Sequence, residues 1–219
     1  MEGKMLYSGK DLRKLIIPLI IEQILAIAVG MADTIMVSAA GEAAVSGVSL
    51  VDTVNILLIN VFSALATGGA VVSGHFLGKK KREDACKSAW QILLFATLLA
   101  FVISVIFITA HDPLLRLMFG KIEDDVMKAS KTYLIITTYS FVALAIYNSC
   151  AALFRAMNES KVTMWVSLLM NVINVVGNAI CIYGLHMGVA GVAIPTTISR
   201  YVAAVFIFFF FFQTKKKKK

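Results

Sequence analysis

Apolar residues form six long runs along this chain, and short polar segments separate the runs. They cover roughly 13–38, 45–77, 88–110, 126–154, 161–184 and 189–213. A bilayer's hydrocarbon core is about 30 Å thick and needs about 20 helical residues to span it, which every run supplies. The runs show no sustained alternation and far exceed the ~10 residues of a barrel strand. The pattern predicts an all-α membrane protein with six transmembrane helices.

The polar segments contain the residues that turns require. They are Ala39–Glu42, Gly78–Lys87, His111–Pro113 with Phe119–Gly120, Asn158–Ser160 and Leu185–Gly188. Leu114–Lys131 mixes apolar and charged residues, and we interpret it as an interfacial turn before the fourth span. We therefore predict one six-helix lobe over 13–213, between an N-terminal segment at 1–12 and a basic tail at 214–219.

Composition agrees with a membrane protein. The residues are 59% hydrophobic and 16% charged, and the mean hydropathy is +0.83. The first run is too long for a signal-peptide core, so we expect it to be retained as a span. The three cysteines are far apart in sequence and are interpreted as free thiols. We find no metal-binding His/Glu spacing, nucleophile elbow or phosphate loop, so we expect neither an enzyme nor a cofactor.

The formal net charge of +8 reflects topology rather than nucleic-acid binding. Of the 21 lysines and arginines, 16 lie on one side of the predicted membrane, together with both termini. Four lie on the other side, and Arg200 lies within the sixth span. We expect the protein to lie in the plasma membrane. The positive-inside rule then places both of its termini in the cytoplasm. The lysine run Lys215–Lys219 favours anionic lipid at that surface.

Asp33 lies inside the first span, where a carboxylate costs about 2.5–3.5 kcal/mol and indicates a functional site. At about 1.5 Å per residue, Asp33 lies about 9 Å from the outer end of its helix. Asn174 and Asn178 share one face of the fifth span at a similar depth. Thr196 lies about 12 Å from the outer end of the sixth span. These oxygens suit a small cation such as Na⁺, whereas a poorly solvated Asp33 alone could carry a proton. The structural alternative is that the amides and hydroxyl only hold helices together.

Other polar residues are weaker candidates for lining a cavity or for gating. Glu22 lies three turns before Asp33 on the same face, and Asp52 is a second acid in the outer half. Arg200 needs a partner or water at its depth. Tyr139 lies near the middle of the fourth span. Pro18 removes a backbone hydrogen bond from the first span and predicts a kink there.

Five pieces of the chain, in order, resemble the multidrug and toxic compound extrusion (MATE) family. The first is Ile17-Pro18 followed by Ala32–Val37, and the second is a glycine-rich helix that ends in the basic loop Gly74–Arg82. The remaining three are Leu153–Lys161, then Asn174–Asn178 with Ile182–Gly184, then Met187–Ala193 with Thr196–Ser199. The resemblance extends over essentially the whole chain.

This resemblance implies one lobe of a two-lobed, twelve-helix exporter. Such exporters expel organic cations and other amphipathic toxic compounds in exchange for Na⁺ or protons. It implies that Asp33 is the coupling residue, with Asn174, Asn178 and Thr196 beside it. Asn178 stands where many members have aspartate, so fewer negative charges meet at the site. Since six helices are half of the family's number, we expect a first-lobe fragment or split gene, with a parallel homodimer as the alternative.

Two other functions stay open from the sequence. A lipid-linked oligosaccharide flippase of the same superfamily would have the same lobe, although such proteins line their cavity with cationic residues and Arg200 is the only deep cation here. A non-transporting fragment or assembly partner is the second. Our prediction is the lobe of a drug antiporter, with a drug-like substrate, membrane lipid and a second six-helix lobe as its partners.

Overall fold

The computed structural model describes residues 9–217, so parts of the predicted N-terminal segment and basic tail lie outside the described residues. Eight α-helices make up nearly all of this range. They are α1 (Gly9–Ser38), α2 (Glu42–Gly78), α3 (Arg82–Thr109), α4 (His111–Phe119), α5 (Asp124–Thr138), α6 (Phe141–Ala156), α7 (Ser160–Ala179) and α8 (Ala190–Lys217). A π-helical turn, Ile180–Gly184, continues α7.

The all-α membrane bundle predicted from the sequence is confirmed. Among the described residues, five helices are long and apolar enough to cross a membrane, and a bent pair of helices makes a sixth span. Several boundaries differ from the predicted ones. Helix α1 already begins at Gly9, and α3 begins at Arg82, so the second turn is three residues long. The predicted interfacial turn at 114–131 is instead occupied by the short helix α4 and the first turns of α5.

The fourth span is not the continuous helix that the sequence predicts. Helices α5 and α6 are bent by 52° at Tyr139-Ser140. Just before the bend, the Thr137 and Thr138 hydroxyls donate to backbone carbonyls one turn earlier, at 2.8 and 2.6 Å. The Ser140 hydroxyl donates to the Thr137 carbonyl at 2.6 Å. Hydroxyls that donate to backbone carbonyls compete with the backbone hydrogen bonds of a helix and bend it. The spacing of apolar residues does not reveal such a bend.

Helix α2 lies at the centre of the bundle, in contact with α3, α5 and α6. Helix α8 packs against α7 and α6, and α1 packs mainly against α7. Large apolar side chains along α1 are left exposed on its other faces, including Ile24, Ile27, Met31 and Ile35. Helix α1 is therefore a peripheral element, attached to the bundle chiefly along one face.

The two ends of the bundle differ in charge. The end that contains the turns Gly78–Arg82 and Ala156–Ser160 is called the basic end, and the end that contains α4 and the turn Gly184–Gly188 is called the opposite end. At the opposite end, Lys131 of α5 donates to Asp112 of α4 at 3.0 Å. This hydrogen bond lowers the pKa of the exposed Asp112 carboxyl. The ion pair between Asp112 and Lys131 is therefore retained as the pH falls towards the ordinary pKa of an aspartate, and is lost below it.

Helices α7 and α8 approach closely where Gly177 faces Pro195. A Cβ on Gly177 would lie 2.7 Å from the Pro195 Cβ, closer than van der Waals contact permits. Pro195 is buried and its ring is rigid, so it has little room to move aside. The absence of a side chain at Gly177 therefore sets the distance between these helices.

We predict that Gly177→Ala destabilises the protein by about 1–3 kcal/mol through overpacking, although alanine favours a helix. Thermal unfolding of the purified chain in detergent measures the change. Gly68→Ala in α2 is the matched control, since its new Cβ would meet nothing within 4 Å. We expect the control to be neutral or slightly stabilising. A Gly177→Ala protein at least as stable as the Gly68→Ala protein would contradict the close approach.

Candidate functional site

Four predicted site residues from three helices form one hydrogen-bonded chain. The Asn178 side-chain amide donates to the Asp33 carboxylate at 2.6 Å and to the Asn174 Oδ1 at 3.3 Å. The Asn174 amide donates to the Thr196 hydroxyl at 2.8 Å. That hydroxyl in turn donates to the Val192 carbonyl at 2.8 Å. The chain thus connects α1 to α8 through α7.

Local sequence explains why these side chains meet. Asn171, Asn174 and Asn178 follow one another at helical spacing on the buried face of α7, against which α1 packs. The close approach at Gly177 brings α8, and with it Thr196, to the same level. The depth of each polar residue in its own helix, estimated from the sequence, is therefore enough to identify these four residues as neighbours.

The site contains one carboxylate among neutral groups. Asp33 is half-buried, while Asn174, Asn178 and Thr196 are buried. The Asn178 Oδ1 is also buried and has no hydrogen-bond partner. A buried oxygen without a partner costs about 1–3 kcal/mol, and a cation beside Asp33 would give it a ligand role.

The directions of these hydrogen bonds limit what the site can do. The Asn178 amide donates to Asp33, so its N–H group occupies the place where a metal ion would need an oxygen. Rotating the Asn178 amide would turn its unpartnered Oδ1 towards Asp33. The Asn178 amide can thus present to the carboxylate either its N–H group, as it does here, or its oxygen.

Asp52 and Arg200 form a second polar group close to the first. The Asp52 carboxylate accepts hydrogen bonds from Tyr133 at 3.0 Å and from Asn55 at 3.2 Å. Arg200 donates to the Ser140 hydroxyl at the bend, at 2.9 Å. The Arg200 guanidinium also interacts electrostatically with Asp52 and Asp33. The deep cation that needed a partner therefore has the Ser140 hydroxyl as its hydrogen-bond partner, and two carboxylates attract it from a greater distance.

The remaining candidates lie elsewhere. Glu22 contacts α6 and α7 in the half of the bundle nearer the basic end, away from Asp33. Tyr139 is at the bend with an exposed side chain, and its carbonyl accepts a hydrogen bond from Tyr201 at 2.8 Å. Pro18 is buried within α1. Whether any of these residues lines a cavity or gates transport stays a prediction.

Sequence reasoning missed two partners, Tyr133 on α5 and Ser140 at the bend. Both belong to the hydroxyl-rich segment Ser130–Ser140, which resembles ordinary helix-packing residues. Their role as partners of Asp52 and Arg200 depends on the bend between α5 and α6. A weak signal existed, because so many hydroxyls in one span predict a distorted helix.

We predict that Asn178→Asp makes stability depend on Na⁺, since two adjacent carboxylates need a cation between them. At Na⁺ about 100-fold above its dissociation constant, binding adds about 2.7 kcal/mol. For a chain of this size that corresponds to a melting temperature about 5–10 °C higher. Thermal unfolding in NaCl is compared with unfolding in choline chloride.

The matched control is Asn171→Asp, which places an acid on the same buried face two turns away from Asn178. We expect it to destabilise the protein equally in both salts. Equal Na⁺ effects in the two variants would contradict a specific cation site at Asp33 and Asn178.

Comparisons with known proteins agree on one family. A family model described as MatE matches residues 18–180. The chain is 32% identical over 193 residues to the uncharacterized transporter YisQ of Bacillus subtilis, covering 86% of this chain and 42% of that protein. It is 27% identical over 199 residues to the probable multidrug resistance protein NorM of Thermotoga maritima, covering 89% and 42% of the two chains.

Solved structures give the same picture. An outward-facing multidrug resistance MATE family transporter of the MOP superfamily matches with a TM-score of 0.87 and 25% identity, over 94% of this chain and 45% of that one. A MOP superfamily transporter from Pyrococcus furiosus matches with a TM-score of 0.84 and 25% identity, over 90% and 43%. The chain thus spans less than half the length of the proteins that it resembles.

Proposed function

Because this chain belongs to the MatE family, whose members are transporters rather than enzymes, we propose that it is one lobe of a secondary active exporter. Its substrates would be organic cations and amphipathic toxic compounds, exchanged for entering Na⁺ or protons. The observation that supports this function is the contact of a membrane-embedded carboxylate, Asp33, with the buried amide of Asn178. Relatives described as probable multidrug resistance proteins support the substrate class.

The proposed mechanism depends on the charge of Asp33. Ionised, Asp33 attracts a cation from the outer side, and the oxygens of Asn174, Asn178 and Thr196 complete the ligands of a metal ion. Binding neutralises the carboxylate and weakens its hold on the Asn178 N–H. Helix α1, attached to the bundle chiefly along α7, can then shift about Pro18 and displace the substrate. Ion and substrate are thereby linked through one group.

The proposed orientation places the basic end in the cytoplasm. The described turns at that end contain Lys79, Lys80, Lys81 and Arg82, as the positive-inside rule requires of cytoplasmic loops. Asp33 then lies in the outer half of the membrane, within reach of ions from outside. Anionic lipids of the inner leaflet of the plasma membrane would contact the basic end.

A second six-helix lobe is the proposed partner. The chain spans less than half of its relatives, and α1 leaves large apolar side chains uncovered by this lobe. The partner is the other half of a longer transporter or, as the alternative, a second copy in parallel orientation. A substrate cavity would lie between the two lobes.

The flippase alternative needs a free positive charge for a pyrophosphate. Arg200 is the deep cation, and it is engaged by Ser140, Asp52 and Asp33. The hydrogen bond to Ser140 and the attraction to the two carboxylates oppose its use for an anionic substrate, which favours cationic substrates. Efflux of a cytotoxic cation, compared with flipping of a lipid-linked oligosaccharide, separates the two functions. Absence of both activities in every pairing would indicate a non-transporting partner.

We predict that Asp33→Asn abolishes ion-coupled efflux while membrane insertion is unchanged, since the amide keeps the shape of the carboxylate without its charge. Ethidium efflux is measured in a chimera with the last six helices of the Thermotoga maritima relative. Binding of radioactive Na⁺ to the purified 219-residue chain is measured separately. It tests whether the site binds a metal ion, independently of transport.

Asp112→Asn is the control, because Asp112 is an exposed acid on α4 that the mechanism does not use. We expect its efflux to equal that of the parent chimera. Efflux at the parent rate in Asp33→Asn would disprove the mechanism. Loss of Na⁺ binding in both variants would show a general structural effect instead.

A further inference from the structure

The second carboxylate of α1, Glu22, has oxygen and cationic partners of its own. Its two carboxylate oxygens accept hydrogen bonds from Tyr147 of α6 and Thr163 of α7, each at 3.3 Å. The Arg155 guanidinium lies 3.7 Å from one of these oxygens. Tyr147 and Thr163 are buried, and the Glu22 side chain is only 17% exposed. Glu22 is thus the acidic member of an enclosed polar group.

This group lies on the same seam between α1 and α7 as Asp33. Every buried position of α7 except Val166 is polar, from Ser160 near the basic end to Asn178 near the opposite end. The intervening members are Thr163, Ser167, Asn171 and Asn174. The two carboxylates of α1 face this polar stripe at two levels, 11 residues apart in sequence. At the helical rise, that separation is about 16 Å along the axis of α1.

Besides Asn178, two side chains of the stripe have unused hydrogen-bonding capacity. The Ser160 hydroxyl and the Asn171 Nδ2 are buried and have no hydrogen-bond partner. Ser160 is 1% exposed, and its carbonyl accepts a hydrogen bond from Thr163, so it lies beside the Glu22 group. An unpartnered buried hydroxyl beside a carboxylate, a phenol and a threonine gives the oxygen set that a small cation prefers.

The contact between Arg155 and Glu22 is longer and more exposed than that of a permanent ion pair. Its distance of 3.7 Å is longer than that of a charge-assisted hydrogen bond, about 2.7–2.9 Å. The Arg155 side chain is 28% exposed, and it lies in the last turn of α6 at the basic end. Arg155 can therefore approach Glu22 or move towards solvent while its helix stays in place.

We propose that Glu22, Tyr147, Thr163 and Ser160 form a second Na⁺ site at the basic end of the α1–α7 seam, and that Arg155 is the tethered cation that displaces the ion from it. The inference rests on the proposed function, because it makes this group the exit site for an ion that first binds at Asp33. Na⁺ and the guanidinium compete for the same carboxylate, so the site releases its ion when Arg155 returns.

Labelling with N,N′-dicyclohexylcarbodiimide tests both sites in the same molecule. The reagent modifies protonated carboxyl groups enclosed within the membrane, so the reaction is run at a pH at which both carboxyl groups are modified without Na⁺, and bound Na⁺ prevents it. The full chain in lipid nanodiscs is titrated with NaCl, with choline chloride as the salt control. Mass spectrometry then reads modification at Glu22 and Asp33 separately. We expect Na⁺ to protect Glu22 in the parent chain, at a higher concentration than it needs to protect Asp33.

Arg155→Gln removes the competing cation, so we expect half-protection of Glu22 at an about tenfold lower Na⁺ concentration, given two charges this close. Arg155→Lys keeps a tethered cation and should resemble the parent. Arg116→Gln is the matched control, since Arg116 is an exposed arginine on α4 at the opposite end. Protection of Asp33 should be the same in all three variants.

The outcomes separate this inference from the proposed function. If Na⁺ protects Asp33 but never Glu22, the second site is disproved, Glu22 only anchors α1, and the proposed function stands. If Na⁺ protects Glu22 but not Asp33, Asp33 does not bind Na⁺, proton coupling at Asp33 is left, and the second site remains. The parent chain alone decides between these results, so the test does not depend on whether Arg155→Gln folds. Equal half-protection in Arg155→Gln and Arg116→Gln would disprove the displacement by Arg155.

Discussion

The hydrogen bond from Asn178 to Asp33 is the interaction on which the arrangement of this lobe depends. A carboxylate inside a membrane helix must have a polar partner, because the hydrocarbon offers none. Asp33 has its partner on α7, and Glu22 has hydroxyl partners on α7 and α6. Elsewhere α1 presents apolar side chains that this lobe does not cover. Pro18 and Val37 of α1 are also buried in the bundle, so the part of its attachment that can change is the set of polar contacts along one seam, which depends on the charge state of acidic groups.

Much of the fold follows from the sequence, since the bilayer imposes simple rules. Span length, turn residues and lysine distribution predicted the six crossings, and five of them are single long helices. Helical spacing also predicted that Asn174 and Asn178 face the same way, and depth placed Asp33 and Thr196 at their level. These inferences need only the rise of a helix and the thickness of a membrane. Whether the four residues bind an ion depends on chemistry that geometry alone does not decide.

The features that the sequence did not predict have two causes. One is the direction in which side chains point, and the other is competition of hydroxyl groups for the hydrogen bonds of the helix backbone. The bend at Tyr139-Ser140 arises from hydroxyls of Thr137, Thr138 and Ser140, which have the same hydropathy whether or not they bond back to carbonyls. The pairing of Tyr133 with Asp52 spans 81 residues and depends on how α2 and α5 pack. Periodicity locates a face of one helix, but it does not say which helix will cover it.

The bend in the fourth span also restricts how the interior of this lobe can vary. A break inside a membrane frees backbone groups that lipid cannot satisfy, so protein groups have to cover them. Here Tyr201 covers the Tyr139 carbonyl and Arg200 bonds the Ser140 hydroxyl, both from neighbouring positions of α8. Straightening the span would take the Ser140 hydroxyl away from Arg200, and replacing the arginine would leave that hydroxyl without its donor on α8. We therefore expect the bend in the fourth span and Arg200 to be gained or lost together during evolution, rather than by independent substitutions.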